Sequence, residues 1–169
     1  MEVIQAMMSR RSVRRFQNKP VDQADVETIL RAGMQAPSAN NGQPWRFIVI
    51  DKREVLDSIP KIHPYARMMN EAQLGFLVCA QVPPETSLDR WVQDCSAATE
   101  NMLLAIHGLG LGAVWLGVYP RPDRISAVTQ LFGLPDDIKP MALIAVGHPA
   151  EHPEPADRYD PKKVRYNHW

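Results

Sequence analysis

Apolar residues recur along this chain at two spacings, which predict helices and strands. Over residues 22–34 the apolar positions fall on one face of a 3.6-residue repeat, which predicts an amphipathic helix with Asp22 as its N-cap. Further helices are predicted over about 3–8, 93–107 and 123–132. Gly108 and Gly133 are placed to end the last two of these.

Four short runs rich in Val, Ile, Leu and aromatic residues predict strands at 45–50, 75–82, 112–119 and 140–147. Several of these runs are continuously apolar rather than alternating, which is typical of strands covered on both faces. Strands interleaved with helices predict an α/β or α+β domain in which helices pack on a mixed sheet. The whole chain, 1–169, is expected to form this single domain.

Composition narrows the class of protein. The chain has 169 residues, of which 45% are hydrophobic and 22% charged, which is ordinary for a globular domain. The formal net charge is zero, so no overall attraction to nucleic acid or anionic lipid is expected. Two cysteines suit a reducing compartment, and we expect a cytoplasmic protein. Glycines divide the long apolar stretch 102–119, so we expect no membrane span.

The C-terminal segment 148–169 differs from the rest because it is rich in proline and charge. One interpretation is a disordered tail, since such a segment cannot bury enough surface to offset its own ordering entropy. The other rests on four large side chains, which are placed to dock on this domain or on a partner subunit. They are Tyr159, Val164, Tyr166 and Trp169.

Several common sites are excluded by inspection. No serine lies in a nucleophile elbow, and no P-loop pattern occurs. No Cys/His group has zinc spacing, so no metal site is predicted. Residues 108–113 match a GxGxxA pattern, but a helix precedes the glycines and a strand follows them. A dinucleotide-binding turn needs the opposite order, so this segment is interpreted as a tight turn.

Two segments remain as candidates for chemistry. Residues 10–16 hold four arginines and Ser12, which suit a solvated basic surface, a nucleic-acid patch or a phosphate pocket. Residues 36–47 form a polar loop between a predicted helix and a strand. This loop is either a simple connection or a set of donors and acceptors for the edge of a heterocycle.

Together with further motifs in order, these segments resemble the nitroreductase family of FMN-dependent oxidoreductases. The first motifs are Arg10-Arg11-Ser12-x-Arg14-x-Phe16 and Ala36-Pro-Ser-Ala-x-Asn41-x-Gln43-Pro-Trp-x-Phe47. They are followed by Trp91-Val-Gln-Asp94-Cys95, Asn101-Met-Leu-Leu-Ala, Gly110-Leu-Gly-x-x-Trp115-Leu116-Gly117-Val-Tyr-Pro120, Gly147-His-Pro-x-Glu151 and Val164-x-Tyr166-x-x-Trp169. The resemblance therefore extends over essentially the whole chain.

The resemblance implies an α+β fold, with a central mixed sheet flanked by helices, in an intertwined homodimer that binds FMN at the subunit interface. One subunit would hold the flavin phosphate, ribityl chain and pyrimidine edge with Arg10, Arg11, Ser12 and Arg14. The other would contribute Pro37, Ser38, Ala39, Asn41 and Gln43. The reactive edge of the ring would be faced by part of the predicted strand 112–119, namely Trp115, Leu116 and Gly117. In the tail, the phosphate-binding end of the family pattern is matched by Lys163 and Arg165. The tail 148–169 would wrap the partner.

The resemblance also implies the reaction. NAD(P)H would reduce the flavin, and a small acceptor such as a nitroaromatic or quinone would then reoxidise it at the same site, which is a ping-pong mechanism. No catalytic side chain is required. Segment 63–73, where Gln73 replaces a usual proline, would line the substrate pocket. Alternatives are a reductive dehalogenase, a flavin-fragmenting relative and a non-catalytic FMN-binding protein, whereas nucleic acid and membranes are not expected as partners.

Overall fold

A computed structural model describes residues 2–83 and 90–169 of the chain. Within these residues the α-helices are α1 (Val3–Ser9), α2 (Gln23–Met34), α3 (Arg53–Leu56), α4 (Ile59–Ile62), α5 (Arg90–Gly108) and α6 (Pro122–Phe132). The strands are β1 (Trp45–Ile50), β2 (Leu74–Gln81), β3 (Gly112–Gly117) and β4 (Ile138–Gly147). Single turns of 3-10 helix lie at Ala39–Asn41, Arg67–Asn70 and Pro161–Lys163.

The four strands form one sheet in the order β1-β2-β4-β3, and every neighbouring pair is antiparallel. The fold is therefore α+β as predicted, but the prediction of a mixed sheet was wrong. Helices between strands show only that the connections are long, and a long connection can return the chain in either direction. In the described part of the chain, parallel pairing occurs only at an isolated bridge between Ser12 and Ala113.

The sheet is buried on both faces, which explains the continuous apolar runs in its strands. Successive residues of β2 point to opposite sides: Phe76 and Val78 pack in the cluster beneath α2 and α5, and Leu77 and Cys79 pack in the cluster on the other face. Helices α3, α4 and α6 contribute to that second cluster. Burial raises the pKa of both free cysteines, Cys79 and Cys95, to about 12, so these thiols remain protonated and inert.

The ends of the elements follow local backbone chemistry. Gly133 ends α6 in the left-handed conformation, and Gly110 takes the same sign of φ in the tight turn from α5 to β3. Asp22 stands at the N-cap of α2, but its side chain makes no capping hydrogen bond. Its backbone carbonyl instead accepts from the N–H of Val26 at 3.1 Å. The strand predicted to reach residue 119 ends at Gly117, and the last strand begins two residues before the predicted start.

The start of the tail docks on the chain's own N-terminal segment. Gln17 donates its backbone N–H to the carbonyl of His148 at 2.9 Å, and Ala150 donates to the carbonyl of Arg15 at 2.9 Å. Beyond residue 156 the hydrogen bonds join tail residues to one another, and the large side chains are exposed. The tail therefore has a docked part, 148–156, and a mostly exposed part after residue 156. None of the described helices has the length and apolarity that a membrane crossing requires.

Candidate functional site

Two glycines form a slot that fixes the arginine-bearing segment against the sheet. Gly112 of β3 lies opposite Gly147 of β4 in the ladder. A Cβ atom on Gly112 would lie 2.8 Å from the Val13 side chain, and one on Gly147 would lie 3.0 Å from the Phe16 ring. Because Val13 and Phe16 fill this slot, the segment between them lies along the edge of the sheet with its arginines toward solvent.

The arginines of this segment have different partners. Arg10 forms an ion pair with Glu100 of α5 at 3.4 Å. Arg11 donates to backbone carbonyls of the docked tail, those of Glu154 at 3.1 Å and Ala156 at 2.9 Å. The backbone N–H of Arg14 donates to Glu151 at 2.6 Å, and no carboxylate in the described residues lies within ion-pair distance of the Arg14 guanidinium. Arg14 is therefore the residue of this segment with a free charged side chain.

A cavity of about 430 Å³ lies beside the outer edge of β3. Its lining combines the predicted arginine Arg14, residues 114–117 of β3, and part of the segment 63–73 that was predicted to line the substrate pocket. The lining residues are Arg14, His63, Tyr65, Arg67, Met68, Val114, Trp115, Leu116, Gly117 and Arg124. The structure thus brings Arg14 together with Trp115, Leu116 and Gly117, and we name this space the β3 cavity.

The backbone of β3 presents peptide groups toward the β3 cavity. The carbonyl of Ala113 accepts from the N–H of Val13, and the carbonyl of Gly117 accepts from side chains outside the sheet. The peptide groups of the odd-numbered residues of β3 therefore point away from β4. Because strand peptide groups alternate in direction, the N–H groups of Trp115 and Gly117 also face outward, whereas that of Leu116 faces β4. A Cβ on Gly117 would meet nothing within 4 Å, so the space beside it is open.

Two side chains hold the end of β3: Arg124, which was not predicted as a site residue, and His63, which lies in the predicted substrate segment 63–73. The carbonyl of Gly117 accepts from the Arg124 guanidinium at 2.8 Å and from Nε2 of buried His63 at 3.0 Å. Nδ1 of His63 accepts the N–H of Tyr65 at 3.3 Å, which places the ring proton on Nε2. Arg124 also lies over the ring of Tyr65, 5.3 Å from its centroid. The only sequence signal for Arg124 is its place in the first turn of the helix after β3.

The polar loop before β1 has an unusual backbone. Asn40, Asn41 and Gln43 all have φ near +50°, in the left-handed region that few side chains adopt. The loop is held by the N–H of Ala39, which donates to buried Asp94 at 2.9 Å, and by the N–H of Gln43, which donates to Ser38 Oγ at 3.1 Å. Strain kept by such contacts is typical of functional loops. The sequence motif contained Asp94 but gave it no role.

The remaining predicted site residues are not gathered in one chain. The loop containing Pro37, Ser38, Ala39, Asn41 and Gln43 leads into β1, which is the opposite edge of the sheet from β3. None of these loop residues lines the β3 cavity.

The other predicted residues lie outside the β3 cavity, and one of them, Arg11, lines a different cavity. Arg10, Arg11 and Ser12 lie at the start of the arginine segment, outside the cavity lining. Lys163 and Arg165 lie in the exposed tail, where Arg165 donates to carbonyls of Lys162 and Val164.

A smaller cavity of about 290 Å³ is lined by Ser9 and His107, but the histidine does not activate the serine hydroxyl as a nucleophile. Ser9 Oγ donates to the carbonyl of Gln5 at 2.7 Å and lies 2.8 Å from Nε2 of His107. Since the hydroxyl proton is committed to Gln5, the imidazole is the donor in the second contact. Burial lowers the pKa of His107, and the nearby guanidinium charges of Arg10 and Arg11 lower it further.

Comparisons with known proteins agree with the motifs. A protein of Methanothermobacter thermautotrophicus, provisionally named NADH dehydrogenase/NAD(P)H nitroreductase, is 43% identical over 169 residues, which is 100% of this chain and 88% of the relative. A crystal structure of a protein of that name from Parabacteroides distasonis has a TM-score of 0.94 and 39% identity, covering 99% of this chain and 98% of that one.

A third comparison includes a cofactor. A provisionally named nitroreductase from Desulfovibrio desulfuricans, solved in complex with FMN, has a TM-score of 0.85 and 32% identity, covering 100% of this chain and 98% of that one. A family model described as the nitroreductase family matches residues 7–72 and 60–148. This chain therefore belongs to the nitroreductase family.

Proposed function

We propose that this protein binds FMN beside β3, takes reducing equivalents from NAD(P)H, and passes them to nitroaromatic, quinone or similar small acceptors by a ping-pong mechanism. Family membership supports the coarser part, which is NAD(P)H-dependent flavin oxidoreduction. The acceptor class and the kinetic mechanism are the finer part of the proposal. The observation that carries the proposal is the outward N–H of Gly117, which lies in a cavity lined by three guanidiniums.

The residues present in the β3 cavity fit a flavin mononucleotide. A flavin ring offers a row of acceptors and donors along one edge and gains negative charge when reduced, and FMN ends in a phosphate. Peptide N–H groups on an open strand edge suit the acceptors of the ring edge. Guanidinium groups suit the negative charge of the reduced ring and the phosphate. The β3 cavity supplies both, with open space beside Gly117 and the unpaired guanidinium of Arg14.

The roles of this chain's residues follow from that fit. Bound FMN would supply the carrier that accepts hydride from NAD(P)H and passes electrons on. Gly117 would donate its N–H to the ring edge, and Arg14 would place positive charge where negative charge develops. His63 and Arg124 would hold the Gly117 carbonyl, which keeps the strand end fixed. No side chain is required as acid, base or nucleophile.

A second copy of the chain would complete the site. The loop 37–43 and the β3 cavity lie at opposite edges of the sheet, so one chain offers two half-sites rather than one whole site. Helix α1 exposes most of its apolar side chains, including 67% of Ile4 and 59% of Met8, which is costly unless another surface covers them. We therefore propose a homodimer in which the polar loop of one subunit meets the β3 cavity of the other, and in which the exposed tail wraps the partner.

The experiment begins with the spectrum of the purified protein, where bound flavin gives bands in the blue and near-ultraviolet. Anaerobic addition of NADH or NADPH should bleach these bands, and a nitroaromatic or quinone should restore them. Initial rates at several concentrations of both substrates should give parallel double-reciprocal lines. Bound flavin that neither nucleotide reduces would instead indicate a non-catalytic FMN-binding protein. Release of halide or breakdown of the flavin during turnover would indicate the dehalogenase or flavin-fragmenting alternatives.

A further inference from the structure

We propose that Asp94 and Asn101 of α5 are positioning residues, which hold the polar loop 37–43 of their own subunit in the shape that completes the flavin site of the partner. This inference rests on the proposed function, because it explains how the half-site at the loop is kept in place. Both residues lie in motifs of the family resemblance to which no role was assigned. Neither of them lines the β3 cavity.

The polar loop has one hydrogen bond that ties its middle to the rest of the molecule. Residues 40–43 are exposed, and three residues of the loop have a left-handed backbone, which costs free energy wherever a side chain is present. The other hydrogen bonds of residues 38–43 join these residues to one another. In the part of the chain that the structure describes, only the N–H of Ala39, which donates to Asp94 at 2.9 Å, connects them to another element.

The surroundings of Asp94 indicate that its carboxylate serves this contact. Only 7% of the residue is exposed, and no cation among the described residues lies within ion-pair distance of it. Burying a carboxylate without a cation costs free energy unless the carboxylate accepts hydrogen bonds. An apolar side chain would fill the same space at a lower cost, so packing alone does not explain an aspartate at this position.

Asn101 fixes the helix from which the polar loop leaves. Its Nδ2 donates to the carbonyl of Ala32 at 3.1 Å. Ala32 lies in the last turn of α2, where carbonyl groups lack partners within the helix. The two helices approach closely here, because a Cβ on Gly33 would lie 2.8 Å from the Met102 side chain. The end of α2 is therefore held on α5 as well.

The two contacts lie on one face of α5. Asp94 and Asn101 are separated by about two turns of helix, so their side chains project toward the same side. One of them fixes the helix that precedes the polar loop, and the other fixes the loop itself. The loop is thus held from its buried side, which leaves its exposed side chains available to a partner subunit.

The first measurement is the dissociation constant for FMN, obtained from the free flavin that passes an ultrafiltration membrane after dilution of the purified flavoprotein. Asp94→Ala should raise this constant by about 10-fold, because the loop loses a charge-assisted hydrogen bond. Asp94→Asn should restore most of the affinity, since an amide oxygen still accepts the N–H of Ala39. The matched control is Ser96→Ala, which removes a hydrogen bond that stays within α5, from the hydroxyl to the Val92 carbonyl at 2.6 Å. It should leave the constant unchanged.

Mixed dimers, made by co-expressing two differently tagged chains, test whether Asp94 acts on the partner's flavin. When one chain contains Asp94→Ala and the other Arg14→Ala, both substitutions fall in the same site. The second site is then intact, and the dimer should keep one FMN at wild-type affinity. When one chain contains both substitutions and the other is wild type, each site contains one substitution, and tight binding should be lost from both. A residue that only stabilised its own subunit would give no difference between the two mixed dimers.

An unchanged FMN constant in Asp94→Ala, or equal flavin content in the two mixed dimers, overturns the inference. If Asp94→Ala does not fold, Asn101→Ala takes its place in both mixed dimers, and the same difference is expected and decides the question. A wild-type protein that is monomeric or binds no FMN would count against the proposed function instead.

Discussion

At Gly112, the absence of a side chain decides where the arginine-bearing segment can lie. Val13 occupies the space that a Cβ of Gly112 would need, and Phe16 does the same at Gly147 across the ladder. Arg14 lies between these two buried residues, so its position depends on the slot. The glycines at 112 and 147 are thus explained by close approach and not by backbone conformation, since φ is not in the left-handed region at either.

We expect Gly112→Ala to destabilise the protein by about 1–3 kcal/mol, because overpacking a close contact forces Val13 away from β3. The displaced segment should also lower flavin retention. Urea unfolding measures the first effect, and the ratio of flavin to protein absorbance after gel filtration measures the second.

Gly108→Ala is the control for this change, because a Cβ there would meet nothing within 4 Å. It should leave both the unfolding free energy and the flavin content near the wild-type values. A Gly112→Ala protein as stable and as yellow as the wild type would show that Val13 moves at no cost.

Among the elements, the short helix α3 controls the segment that borders the β3 cavity. The Arg53 guanidinium donates to the carbonyls of Ala72 at 2.8 Å and of Met69, and its Nε lies 2.9 Å from the Asp57 carboxylate. One side chain therefore ties the end of the turn Arg67–Asn70 to α3. Lysine cannot reproduce this, because its ammonium is a compact group rather than a planar fork.

We therefore expect Arg53→Lys to raise the KM for the acceptor several-fold while the flavin content stays near wild type, because the turn is loosened but the arginine segment is not touched. Stability should fall by about 1–3 kcal/mol, since two carbonyls lose a charged donor. Steady-state kinetics and urea unfolding check both effects. Lys52→Met changes an exposed neighbour and serves as the control. Loss of flavin without a change in KM would show that α3 supports the cofactor side instead.

The elements also show what could be predicted from the sequence. Long helices and buried strands were predicted because their burial leaves a periodic or continuous apolar pattern. Helices α3 and α4 span four residues each, too few for a period of 3.6 to be recognised. The contacts of Arg53 and Arg124 are long-range and leave no local pattern. The strand order, which places the polar loop and β3 at opposite edges of the sheet, also depends on tertiary packing and left no local pattern. The sharing of the site between two subunits was implied by the family resemblance and not by the apolar pattern.

On the scale of the whole molecule, a chain of zero formal charge has an uneven surface. Guanidinium groups gather at the β3 edge, and apolar side chains are exposed on α1 and in the last residues of the tail. Tyr166 is 84% exposed and Trp169 is fully exposed. Large aromatic residues left in water at the end of an otherwise polar segment are best explained by a partner that covers them.

We expect deletion of residues 158–169 to shift the protein from dimer toward monomer and to lower its flavin content, because the deleted segment holds the aromatic anchors together with Lys163 and Arg165. The fold itself should survive, since the hydrogen bonds of this segment join tail residues only. Light scattering after gel filtration gives the mass, and circular dichroism with urea unfolding at matched concentration checks the fold.

Trp169→Ala with Tyr166→Ala is the companion variant, because it removes the anchors and keeps both cations. If the anchors hold the dimer, this variant should dissociate like the truncation, and raising the protein concentration should restore both the dimer and the bound flavin together. If it stays a dimer but loses flavin, the tail acts on the cofactor and the interface lies elsewhere, with the exposed face of α1 as the next surface to test. A truncated protein that remains a yellow dimer would remove the tail from both roles.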